Sequence, residues 1–171
     1  MTIARETVYS ALFGLLTPLL APGATPASPG NDPQPGTPTA GQPFNLVSRE
    51  VIEVSKVDPG LQPVLFMDEV LEEQGDDGQG LPYEKWNLLL HVGVTSPKGT
   101  PAAPLLNPLI DLVLAMVRPG DGDDIQDLGI PQVDSVRIMG AVVKNLGQNA
   151  TSPDCRQALA YIPIQIVLPA T

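Results

Sequence analysis

Two runs of carboxylates are the residues of this chain best suited to chemistry: Asp68, Glu69, Glu72, Glu73, Asp76 and Asp77, then Asp121, Asp123, Asp124 and Asp127. Side-chain oxygens at this density are what a hard divalent cation binds, and paired carboxyls are what acid–base hydrolysis uses. Neither spacing matches a calcium-loop pattern. The first run straddles the end of a predicted strand and the turn containing Asp76-Asp77-Gly78, so a solvated acidic hairpin accounts for it. Asp121-Gly122-Asp123-Asp124 reads first as turn chemistry and only then as a metal loop. Both runs are candidates for an interface surface or for the lining of a passage; a carboxylate-only metal site or carboxyl pair stays open on residue count.

His91 is the only histidine and Cys155 the only cysteine. A zinc site built from His and Cys, a Ser-His-Asp triad and a Cys-His dyad all need more than that, or partners that the neighbouring sequence does not supply. No Gly-rich phosphate loop is present. Asn149-Ala150-Thr151 fits a glycosylation sequon, which matters only in a secreted chain. No enzymatic activity, metal or cofactor is expected.

The 171 residues suit one domain over 1–171, with length enough to bury a core. Hydrophobic residues make up 43%, while 20 Pro and 16 Gly point to much loop. A net charge of −10 argues against a surface that grips nucleic acid, which needs clustered Lys and Arg. An acidic passage would instead let DNA slide through unbound.

These residues must be held by a limited set of elements. Thr2 to about Leu16 has Val8, Leu12, Leu15 and Leu16 at helical spacing, with Arg5, Glu6 and Ser10 facing away, and Pro18 stops it. The same stretch, with Arg5 before the apolar run Val8–Leu20 and Ala21-Pro22-Gly23-Ala24 after it, has some features of a secretory signal, though Glu6 offsets the charge. No run is long enough to span a membrane. Thr17–Pro43 is a Pro/Gly-rich irregular insertion, mobile or polyproline-like.

Strands are predicted over Phe44–Val54, Pro63–Glu72 and Lys85–Thr95, forming an antiparallel meander. In the last of these Trp86, Leu88, Leu90, Val92 and Val94 share a face. Asn107-Pro108 opens a helix running to Val117, with Asn107 as cap, Asp111 in the first turn and Leu109, Leu112, Val113 and Met116 buried. Gln132–Lys144 is a fourth strand. Tyr161–Pro169 is the fifth, with Ile162, Ile164, Ile166 and Leu168 on one face. Pro163 cannot donate a ladder bond, which places this strand at an edge or bulge, with Pro163 and Gln165 candidates for an edge interface. The expected fold is α+β: a mostly antiparallel sheet of about five strands, two helices packed on one face.

Leu105-Leu106-Asn107-Pro108-Leu109-Ile110-Asp111 and Ile162-Pro163-Ile164-Gln165-Ile166-Val167-Leu168-Pro169 resemble tail-terminator (minor tail, tail-completion) proteins of long-tailed bacteriophages and prophages. Arg5-Glu6-Thr7-Val8-Tyr9-Ser10-Ala11-Leu12-Phe13 resembles their first helix. Phe44-Asn45-Leu46-Val47-Ser48-Arg49, Gln62-Pro63-Val64-Leu65-Phe66 and Tyr83-Glu84-Lys85-Trp86 resemble successive strands, and Asp127-Leu128-Gly129 through Ile138-Met139-Gly140 continues the order. The resemblance leaves out Thr17–Pro43 and the Gly75–Gly80 turn. It implies a self-assembled ring, usually a hexamer, in the virion tail after assembly in the host cytoplasm. Its partners would be the tail tube protein and a head-completion or neck protein, with DNA passing through and no membrane contact. The alternatives are another neck or head–tail connector component and, in a different class, a secreted acidic binding domain or small carboxylate-dependent enzyme.

Overall fold

The computed structural model describes residues 4–25, 32–76, 82–97, 99–118, 127–146 and 155–169. Asp77, Asp121, Asp123, Asp124 and the Asn149–Thr151 sequon lie outside them.

Helix α1 spans Arg5–Leu16 and continues into a 3-10 turn over Thr17–Leu19, where Pro18 sits in the first turn. Its spacing buries Val8, Tyr9, Leu12 and Leu16. Helix α2 spans Ala103–Val117 and buries Leu106, Leu109, Ile110, Val113 and Val117. It begins four residues before the expected Asn107 cap. Pro104 takes the first-turn position, and Pro108 lies inside the helix. Leu106 explains the earlier start, since it adds a full turn to the buried stripe. Asp111 is therefore an exposed mid-helix residue, and Leu112 and Met116 pack only at the core margin.

Among the described residues the sheet has six strands, in keeping with the expected number of about five: β1 Leu46–Ser48, β2 Val64–Asp76, β3 Pro82–Pro97, β4 Ser135–Ile138, β5 Val143–Leu146 and β6 Cys155–Pro169. Its order is β1-β2-β3-β6-β4, with β5 also on β6. All pairs are antiparallel except β1 with β2. That pair departs from the expected meander because residues 49–63, with two 3-10 turns, form a crossover long enough to restart in the same direction. The expected strand over Gln132–Lys144 is split. Gly140, at φ +74°, turns the backbone between β4 and β5 in a conformation that favours glycine.

The terminal strand is not at an edge. β6 lies between β3 on one side and β4 and β5 on the other. Pro163 is accommodated by the gap between those two short strands: β4 pairs with residues 164–167 and β5 with 158–161. The Pro163 carbonyl accepts from the Met139 amide at 2.9 Å, so its ring nitrogen points toward the same gap. The proline signal for a missing ladder partner is met within the sheet. Gln165 is buried, and its amide donates to Asn87 Oδ1 at 3.0 Å. Neither residue forms an edge surface.

Both helices cover one face, where Trp86, Leu88, Leu90, Val92, Ile162, Ile164, Ile166 and Leu168 complete the main core. A second cluster of Leu46, Val54, Val57, Val64 and Phe66 covers part of the other face. Gly93 permits this contact, because a Cβ there would lie 2.7 Å from Val54 Cγ2. After the 3-10 turn at its start, the Pro/Gly-rich segment is irregular in its described parts but attached. Leu19 and Ala21 are buried, the Ala21 amide donates to the Phe44 carbonyl, and the Gly36 amide to Asn45 Oδ1.

Candidate functional site

β2 holds the first acidic run, and a bulge sorts it. Glu69 pairs with Leu88, whereas Leu71 pairs with Asn87, leaving Val70 as the extra residue. Side chains three apart normally point to opposite faces of a strand. Here the bulge puts Glu69 and Glu72 together on the helix side and leaves Asp68, Leu71 and Glu73 on the other. The carboxylates therefore do not converge.

On the helix side they meet arginines. Arg5 Nε donates to both oxygens of Glu72 at 2.7 and 2.8 Å, and the Tyr9 hydroxyl donates to Glu72 at 3.2 Å. Arg49 donates to Glu69 at 2.6 Å and also pairs with Glu6. Arg5 lies over the Trp86 ring, Arg49 lies over Tyr9, and the Tyr9 and Trp86 rings sit 5.3 Å apart. The hydrogen bond from Arg5 holds the Glu72 carboxyl below its ordinary pKa, and the bond from Arg49 does the same for Glu6. Burial, aided by the Glu72 charge, raises the Tyr9 phenol well above its ordinary value. This network joins α1, the segment after β1, β2 and β3. Arg5 and Glu6 stay on the exposed side of α1, as expected, and add ion pairs there. Arg5 and Glu72 are 67 positions apart, so no local pattern could have paired them.

On the other face Asp68 Oδ2 lies 3.4 Å from His91 Nε2, which has no hydrogen-bond partner. Burial lowers the His91 pKa and outweighs the opposing effect of Asp68. Tyr161 meets the imidazole edge-on at 5.0 Å. Glu73 lies opposite Lys85, and Asp76 opposite Pro82, at the strand end. Asp127 is occupied in its own turn, accepting from the Gly129 amide at 2.8 Å. Among the described residues no group of three or more His, Cys, Asp or Glu is placed to hold a metal ion, and no helix is long and apolar enough to cross a membrane.

A surface cavity of about 380 Å³ is lined by Asp32, Pro33, Leu46, Ile52, Lys56, Val57, Asp58 and Leu61. Two of its charged groups are engaged: Asp58 accepts from the Gly60 amide, and Lys56 pairs with Glu53. The larger feature is the sheet itself. Among the described residues β2 is paired by β1 only over Val64–Phe66, so beyond that it has β3 on one side alone. Glu69 to Gly75 are all exposed. No family model matches the chain, and no curated protein matches it in sequence.

Proposed function

We propose that the chain is a structural subunit of a long-tailed bacteriophage or prophage tail, a tail-terminator-like protein acting in a ring. The supporting observation is where the resembling segments fall. Arg5–Phe13 lies on α1, Phe44–Arg49 on β1, Gln62–Phe66 at the start of β2, Tyr83–Trp86 on β3, Leu105–Asp111 on α2 and Ile162–Pro169 on β6. Six patterns in that order occupy six elements of one domain with both helices on one sheet face.

A tail tube is a head-to-tail stack, and such heterologous assemblies keep growing unless something occupies the last interface. A ring that binds the terminal layer without copying the tube's growing surface stops extension and presents a different surface to the head. The role is passive, and the net charge of −10 suits a passage through which DNA slides without binding. A phage lacking this gene should yield DNA-filled heads and unjoined tails, some of excessive length, on electron microscopy of the lysate. Fully joined virions of normal length would reject the assignment, and joined heads without tails would favour a connector role.

A further inference from the structure

We infer that copies of this chain associate head to tail by pairing the free edge of β2 in one copy with the β4–β5 edge of the next. The sheet ends in two unlike borders. One is β2 beyond Phe66, regular again from Leu71 to Asp76 after the bulge and unpaired on its outer side among the described residues. The other is formed by β4 and β5, each paired among the described residues on one side only, to β6. An exposed strand edge offers unpaired amides and carbonyls to another strand.

The side chains on these borders are complementary. Seven large hydrophobic residues are exposed among the described residues, and five lie here: Val70 and Leu71 on one border, Met139, Val143 and Leu146 on the other. That concentration marks a contact rather than scattered surface residues. The β2 border is acidic, with Asp68, Glu69, Glu72 and Glu73 against the two arginines that reach it, Arg5 and Arg49. The opposite border carries Arg137 and Lys144, with Lys144 Nζ 2.8 Å from Asn107 Oδ1. The faces also agree. Leu71 and Glu73 share the face away from the helices, as do Val143 and Arg137, while Glu72 and Lys144 lie on the helix side. A continuous sheet between copies can, in one register, set Leu71 beside Val143 on the face away from the helices and Glu72 beside Lys144 on the helix side.

A second copy is the partner because one chain supplies both halves of this match. Unlike patches at opposite borders make a heterologous contact, which closes into a ring or runs on as a filament. The inference deepens the ring-subunit reading and rests on it only for closure; the pairing rests on the borders themselves.

The test is charge reversal on the full chain, read by native mass spectrometry and sedimentation. Arg137→Glu/Lys144→Glu changes one border and Glu73→Lys/Gln74→Lys the other. Each variant alone should associate at least about tenfold more weakly than the native chain. Mixing the two should restore association, in rings of even number with alternating variants, since each altered border then meets its opposite. That rescue also establishes that both variants are folded. Native rings indifferent to both reversals would overturn the border pairing while leaving the ring reading intact. Filaments sensitive to both would uphold the pairing and reject the ring. A native chain that stays monomeric at high concentration would overturn the inference.

Discussion

His91 is a residue whose ionisation the fold opposes in a pH range that a melt can reach. Its pKa falls below the ordinary 6.5 because burial disfavours the imidazolium more than Asp68 favours it. The unfolded chain therefore takes up a proton at a pH where the folded chain does not. The stabilising contribution is complete above about pH 6.5 and is lost as pH falls through the lower folded value. Thermal melts from about pH 8 to pH 5 should show a decline in the native protein that His91→Gln reduces; equal slopes would contradict this account. Sequence alone could isolate His91 as a histidine without catalytic neighbours. It could not show that Nε2 is buried without a hydrogen bond, because Asp68 and Tyr161 come from two other strands.

At the scale of elements, the strongest periodicities carried the most information. The alternation from Trp86 to Val94 fixes which face of β3 is buried, and the apolar spacing in α1 marks the residues that enter the core. What was hidden depends on partners distant in sequence. The bulge at Val70 regroups Glu69 with Glu72, and the crossover before β2 turns an expected antiparallel pair into a parallel one. Pro163 misled because proline reports only a missing hydrogen bond, and a gap between two short strands satisfies that as well as an edge does. The contrast is measurable. Pro163→Val should shift stability by less than about 1 kcal/mol, since the restored amide faces the gap. Ile164→Pro removes an amide directed at β3 in mid-sheet and should cost more than about 2 kcal/mol. Denaturant melts that gave equal costs would contradict the placement of β6.

For the whole molecule, one sheet with both helices on one side leaves two strand borders and part of a face for other contacts. That organisation was legible as an α+β domain from the order of patterns. The borders were not, since they depend on which strand lies last in space rather than in sequence. The central claim is that this chain closes the tail tube. Gold labelling of the chain in assembled tails, imaged by electron microscopy, tests it most directly. The account predicts label confined to one ring at the head-proximal end of each tail, and label spread along the tube, at the distal tip or absent from tails would contradict it.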